Sequence, residues 1–171
     1  MNRKIVGIAL ILLCSAMLTT AISLVYAKPE KIEGQFFMVS GDLNRDPAGV
    51  SDIAVYEITG FATFFGDISG GANSNARWVA SDFSGTPTPD SWVNMHIVFT
   101  LPSTTVIIDS QEYHGSLTLI FVGKMATGGN WVIISSNGGL AGLHGQGTFT
   151  PSSTPSIPPL IDYEGQVHFA P

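Results

Sequence analysis

Apolar and polar residues alternate along most of the chain in short runs that are rich in β-branched and aromatic side chains. A period of two residues is typical of strands that bury one face. Gly, Pro, Asn and Asp separate the runs, and no stretch after residue 27 has a useful helical period. The runs predicted as strands are 32–40, 51–66, 76–83, 92–100, 105–109, 112–125, 130–136, 139–150 and 160–169. Eight or nine strands in one chain predict an all-β domain, either a closed barrel or a two-sheet sandwich.

Residues 135–149, SSNGGLAGLHGQGTF, carry the strongest fold signal. The alternation places Leu140, Gly142, His144, Gln146 and Thr148 on one face and Ala141, Leu143, Gly145, Gly147 and Phe149 on the other. Glycines that recur on one face of a strand indicate a bend or the close approach of another backbone. A strand that closes a small barrel needs both, so this stretch favours a barrel.

The segments between the runs are rich in turn-forming residues, which favours antiparallel neighbours. Residues 127–130 and 137–139 predict the tightest hairpins, and Gly60 predicts a bulge inside a long strand. Longer loops are predicted at 41–50, 70–75, 85–90 and 151–159. The last of these, PSSTPSIPP, is predicted to cross between two late strands because its prolines cannot donate to a ladder.

Three motifs near the end of the chain carry a family resemblance. They are WVII at 131–134, NGGLAGLHGQGTF at 137–149 and YEG at 163–165. Together they resemble the C-terminal signature of the DUF3224 family of uncharacterised proteins, and residues 64–70 match it weakly. Those proteins look like members of the allene oxide cyclase and dirigent barrel superfamily. The resemblance implies a small antiparallel eight-stranded barrel with a central cavity, and it implies no activity and no catalytic residue.

The chain opens with a basic start, an apolar run over residues 5–25 and the sequence VYA before KPEK. This pattern predicts an apolar signal helix that is removed as a signal peptide of residues 1–27. The remaining residues, 28–171, would form a single β-barrel domain. The alternative is an uncleaved membrane anchor through residues 5–25. Both interpretations place the domain outside the cytoplasm, secreted or anchored.

The net charge of the chain indicates which kinds of partner it can bind. Thirteen acidic residues face seven basic ones, which gives a net charge of −6. Phosphate backbones need clustered Lys and Arg, so no nucleic acid partner is expected. The one cysteine, Cys14, lies in the apolar N-terminal run, so the domain has no disulfide to form.

Asp42, Asn44 and Asp46 place oxygen ligands at alternate positions, which resembles the start of a calcium-binding loop. The pattern departs from such loops because Pro47 replaces the turn glycine and Ile53 stands where a closing Glu is needed. The alternative is a solvated loop with Asx turns. Calcium is therefore a candidate ion, and no other cofactor is expected.

Histidines 96, 144 and 168 share strand faces with polar residues, so they are predicted to lie on the outer face of the barrel. Asp109, Glu112 and His114 lie at a strand start, where barrel mouths gather functional groups, and are the candidate ligand-binding residues. Ten aromatic residues are predicted to fill the core: Phe36, Phe61, Phe65, Trp78, Trp92, Phe99, Phe121, Trp131, Phe149 and Phe169. A barrel of eight strands is either packed solid or holds one small ligand.

No nucleophile motif and no phosphate-binding loop occur after residue 27. The first hypothesis is therefore a secreted or surface-exposed β-barrel protein that binds a small apolar ligand or a surface partner without catalysis. One alternative is a cyclase- or isomerase-type enzyme in which an apolar cavity guides the substrate. Another is a calcium-dependent adhesion or docking module. Catalytic activity and oligomeric state stay open.

Overall fold

The computed structural model describes residues 28–46, 53–81, 92–124, 126–154 and 156–170. These residues form eight antiparallel strands. They are β1 (Glu30–Asp46), β2 (Ile53–Gly66), β3 (Ile68–Ser81), β4 (Trp92–Ile108), β5 (Gln111–Lys124), β6 (Gly128–Gly138), β7 (Leu143–Pro151) and β8 (Leu160–Phe169). Each strand pairs with the next, and β8 pairs with β1, so the sheet closes into a barrel. The all-β prediction is confirmed. Of the two predicted architectures, the closed barrel and the two-sheet sandwich, the structure has the barrel.

The two predicted strands at 92–100 and 105–109 are one strand, β4. The register with β5 shifts between Leu101 and Thr104, so the interruption is a bulge and not a loop. Pro102 lies in this bulge, where its missing N–H removes no ladder hydrogen bond.

Two predicted loops are wrong because strands run through them. Residues 70–75 belong to β3, and the β2–β3 turn lies at Asp67, next to Gly66 with a φ of 100°. Residues 41–46 belong to β1. The bulge predicted at Gly60 occurs at that level of the sheet, but the register shift between Ser40 and Leu43 places the extra residue in β1.

The segment between β7 and β8 connects neighbouring antiparallel strands and therefore makes no crossing. The Ser152 N–H donates to the Leu160 carbonyl at 3.0 Å, which closes the base of a hairpin loop. The predicted loop at 85–90 lies outside the described residues.

Aromatic rings fill the centre of the barrel. Phe36, Phe64, Phe99 and Phe121, from β1, β2, β4 and β5, are all buried, and we call them the aromatic cluster. Phe36 lies 4.9 Å from Phe64, 5.3 Å from Phe99 and 5.0 Å from Phe121, measured between ring centroids. These separations are ordinary for packed aromatic pairs. The interior is thus packed with side chains. The family resemblance implies a central cavity, so the structure differs from that expectation.

The wall formed by β2 and β3 supplies small side chains to the same interior. Ala62, Ala72, Ser74 and Ala76 are buried there. These small residues leave volume that the rings of the aromatic cluster occupy, as native packing density requires.

The glycine face of β7 packs against Trp131 of β6. The Trp131 indole N–H donates to the carbonyls of Thr148 at 3.1 Å and Glu164 at 3.0 Å. A Cβ atom on Gly147 would lie 2.6 Å from the indole nitrogen and 2.6 Å from the Cα of Gly165. The predicted close approach of another backbone is confirmed.

The strand alternation predicts that Leu140 shares the outer face with His144, but Leu140 is buried. Residues 139–142 form a turn, and Gly142 has a φ of 80°. The turn is held by hydrogen bonds from Gly139 N–H to the His114 carbonyl at 2.9 Å and from Ala170 N–H to the Gly142 carbonyl at 2.7 Å. Leu140 packs into the barrel end as a result.

Tyr163 joins β8 to the β2–β3 turn from inside the barrel. Its hydroxyl accepts a hydrogen bond from the Ile68 N–H at 2.9 Å and lies 3.0 Å from the Ile68 carbonyl, to which it donates. Burial raises the pKa of the Tyr163 phenol far above its ordinary value. The hydroxyl therefore stays neutral and acts as a structural hydrogen-bonding group.

Within the described residues, the structure contains no helix that is long and apolar enough to span a bilayer. The predicted signal helix, residues 1–27, lies outside the described part of the chain.

Candidate binding surface on the outer face

The predicted ligand-binding residues Asp109, Glu112 and His114 lie at the β4–β5 hairpin. Asp109 and Ser110 have φ values of 50° and 63°, which is the backbone of a tight two-residue turn. His114 Nε2 lies 3.8 Å from the Glu112 carboxylate, and both side chains are about two-thirds exposed. The structure brings Glu112 and His114 together on an open sheet face. None of the three grooves described below includes them.

Asp42, Asn44 and Asp46 lie in the main chain of β1, where Asn44 pairs with Glu57 and Asp46 with Val55. The loop expected there is wrong, because this backbone is a strand. The side chains of these residues lie outside the described part, so calcium binding stays a prediction. Within the described residues, no three His, Cys, Asp or Glu side chains are grouped to hold a metal ion.

The histidines lie on the outer face, as predicted. His96 pairs with Arg77 on one side and Val122 on the other. His144 and His168 lie directly opposite each other on β7 and β8, with ring centroids 5.8 Å apart.

Those two histidines begin a row of polar cross-strand pairs along the outside of β7 and β8, which we call the polar ladder. The pairs are His144 with His168, Gln146 with Gln166, Thr148 with Glu164 and Thr150 with Asp162. The period of two residues puts all eight side chains on the solvent side, opposite the glycine face.

Aliphatic side chains cover the neighbouring part of the outer face. Val98, Ile120 and Val132 are in register across β4, β5 and β6, and Val122 and Ile134 extend the patch. We call these five residues the apolar wall. Val122 is 41% exposed, Val132 39% and Ile134 53%, so the wall is open to solvent. Large apolar patches on a protein surface indicate binding sites.

A groove of about 510 Å³ runs between the apolar wall and the polar ladder, and we call it the seam groove. Its lining is Ile120, Val122, Asn130, Trp131, Val132, Gln146, Gly147, Thr148, Gly165 and Gln166. Branched aliphatic groups form one side and amides and hydroxyls form the other, and this lining contains no charged side chain. The chemistry suits an uncharged ligand with one apolar face.

A second groove, of about 430 Å³, lies at the other end of the polar ladder and is acidic, with Glu33, Asp162 and Glu164 in its lining. Lys31 is 2.8 Å from Glu33, and this hydrogen bond raises the pKa of the lysine and lowers that of the glutamate. Lys31, Glu33 and Glu164 are exposed, so solvent screens their charges, whereas Asp162 is half-buried and accepts a hydrogen bond from the Gln35 amide.

Sequence reasoning missed the placement of two phenylalanines. Phe61 and Phe65 were expected in the core but point outward from β2, and Phe61 is 67% exposed. The buried ring in this run is Phe64. The alternation in FATFF allows either face, and only the partner strands decide which of the two sets is buried.

Comparison with known proteins supports the fold. The chain is similar to the crystal structure of a protein with unknown function from the DUF3224 family from Shewanella oneidensis MR-1. The TM-score is 0.52 and the sequence identity 20%, over 84% of this chain and 99% of the other. The resemblance to DUF3224 is thereby confirmed at the level of the fold. No protein-family model and no curated protein matches the sequence. The wider relation to allene oxide cyclases and dirigent proteins stays a prediction.

Proposed function

We propose that this protein is a non-catalytic binding module that works outside the cytoplasm and holds an uncharged, partly apolar ligand in the seam groove. The aromatic cluster carries this proposal. Because its rings fill the barrel interior, the space for a ligand lies on the outer face. A volume of about 510 Å³ is in the size range of small-molecule sites.

The filled interior also weighs against the cyclase or isomerase hypothesis. Such an enzyme would shape its substrate inside the barrel, since positioning is the main help that an apolar site gives. Phe36, Phe64 and Phe121 occupy that volume with exposed fractions of 0 to 1%.

Nile red, an uncharged apolar dye, can serve as the probe for the seam groove. We expect one dye to bind per chain, with a blue-shifted emission. In an ¹⁵N–¹H spectrum, the shifted amides should group around Val122, Val132 and Gln146. Shifts centred on Phe36 and Phe99 would mean that the interior opens, and would overturn the proposal.

Val132→Thr should weaken dye binding about tenfold, which corresponds to about 1.4 kcal/mol. The matched control is Val39→Thr, because Val39 is also exposed on the outer face, at 53%, but lies on β1. Equal loss in both variants, or loss in the control alone, would place the dye elsewhere and contradict the seam groove.

The apolar run at residues 5–25 and the sequence VYA support the location outside the cytoplasm. N-terminal sequencing of the protein released by a secreting host should begin at Lys28. A protein that stays in the membrane fraction with its first residues intact would support the anchor. A protein that stays in the cytoplasm would refute both.

A further inference from the structure

The cross-strand pair His144 and His168 lies at the end of the polar ladder, in a third groove on the outer face. This groove has a volume of about 400 Å³ and is lined by Pro29, Val132, Ile133, His144, Gly145, Gln146, Gln166 and His168. The two rings are 5.8 Å apart between centroids and inclined at 27°. We propose that His144 and His168 together chelate a borderline divalent transition metal, for which Cu²⁺ and Zn²⁺ are the natural probes.

The ring separation suits a single metal ion. A coordinating imidazole places the metal roughly 3 Å from its ring centroid, since the metal–nitrogen bond is about 2.0–2.1 Å. Two such rings on one ion are then roughly 5–6 Å apart at tetrahedral to wider angles. The observed 5.8 Å lies in this range, and both side chains are exposed, so the proposal requires only that the two rings rotate to direct one nitrogen each toward the ion.

The pairing of β6 with β7 leaves room for the metal. This pairing runs from Gly129–Phe149 to Val132–Gln146 and stops before His144. His144 therefore has no paired residue on β6, and the groove opens on the β6 side of His144. Waters, or the amide oxygens of Gln146 and Gln166 one pair along the ladder, can complete the coordination.

The lining of this groove selects the class of metal. Its described residues include no carboxylate, so the hard cations Ca²⁺ and Mg²⁺ would find few of the ligands they prefer. Imidazole suits Cu²⁺ and Zn²⁺, and Cu²⁺ is bound most strongly at a given nitrogen site. The lining also includes no Lys or Arg that would repel the ion.

The test is a titration of tag-free protein, isolated as the secreting host leaves it, with Cu²⁺ and with Zn²⁺ by calorimetry. We expect one site per chain. His144→Asn and His168→Asn should each weaken binding at least tenfold, and the loss in the double variant should be smaller than the sum of the two single losses, because both rings serve one ion. The electron paramagnetic resonance spectrum of the Cu²⁺ form should show two coordinated nitrogens.

The matched control is His96→Asn, which removes an exposed histidine with no histidine opposite it. Unchanged affinity in this control supports the pair. Losses in His96→Asn equal to those in the pair would show unspecific imidazole binding and overturn the proposal. So would a single-histidine variant that keeps full affinity, or a one-nitrogen spectrum.

The third groove shares Val132, Gln146 and Gln166 with the seam groove, but His144 and His168 line the third groove alone, so Nile red binding can be followed separately in the histidine variants. A failed metal titration with normal dye binding refutes the metal site alone. All three variants replace exposed side chains, so thermal unfolding curves that match the parent protein would confirm that they are folded.

Discussion

The inner and outer faces of the barrel use the same strands in opposite ways. On β7, the inner face has Gly147 packed against Trp131 and Phe149 packed against Phe121, while the outer face has His144, Gln146 and Thr148 in solvent. Substitutions on the inner face of β7 meet fixed rings and backbone, whereas the outer side chains of β7 are exposed. The contrast teaches that stability resides inside the barrel and that binding chemistry is available outside it.

Among the substitutions predicted here, Gly147→Val should destabilise the protein the most, because it disrupts packing on the inner face. A Cβ atom there would meet the Glu164 carbonyl oxygen and the Trp131 indole, and neither can move without disturbing the sheet. We expect no folded protein from this variant, as judged by circular dichroism and solubility. The control is Gly71→Val, since a Cβ atom on Gly71, on the outer face of β3, meets nothing within 4 Å. Normal folding of both variants would contradict the close approach.

Phe36→Ala should destabilise the protein by about 3–5 kcal/mol, the usual cost of removing a buried ring and leaving a cavity. Phe36 contacts the other three members of the aromatic cluster, and its centroid distances to them are 4.9, 5.3 and 5.0 Å. Phe61→Ala is the matched control on the outer face, with an expected change within about 0.5 kcal/mol. Chemical denaturation measures both values. Similar losses in the two variants would mean that the faces are assigned wrongly.

Tyr163→Phe should cost about 1–3 kcal/mol, because it leaves the buried Ile68 N–H without its partner. The variant should also respond differently to alkaline pH. The folded state raises the pKa of this phenol, so above about pH 10 only the unfolded chain releases the proton, and stability falls as pH rises. Denaturation curves between pH 8 and 11 should show this fall in the parent and less of it in Tyr163→Phe. An equal fall in both would refute the assignment.

Lys31→Gln should have the smallest effect, since it acts on the exposed end of the outer face. We expect no measurable change in the unfolding midpoint, because solvent screens the pair with Glu33. The pKa of the Glu33 carboxyl should rise, because the hydrogen bond that lowers it is lost. A ¹³C NMR titration of the glutamate side chains measures this shift. A clear drop in the midpoint would mean that outer charges stabilise the barrel more than the exposed geometry allows.

The sequence predicts most of the fold and little of the site. Alternation in residues 92–100 identifies β4 and its buried face, and the glycines at 145 and 147 indicate the close backbone approach that Trp131 and Gly165 provide. The number of strands leaves a barrel and a sandwich open, and the recurring glycines of residues 135–149 favour the barrel.

The failures have a common cause, which is that the pairing between strands decides the outcome. The glycines and asparagines at 70–75 look like a loop, yet pairing with β2 and β4 makes them a strand. The seam groove escapes prediction because its lining comes from β5, β6, β7 and β8, and only the register between strands brings Val132 beside Gln146. A pattern along one strand does not contain this information.

Closure of the barrel has a consequence for how the chain folds. Seven of the strand pairings join neighbours in sequence, but Glu30 must find Val167 near the other end of the described chain. This contact closes a long loop of chain and so costs more loop-closure entropy than the pairings between sequence neighbours. We therefore expect it to form late. Until then β1 and β8 are open edges that can pair with another molecule. The speed of the last pairing thus sets how long each new chain is exposed to aggregation.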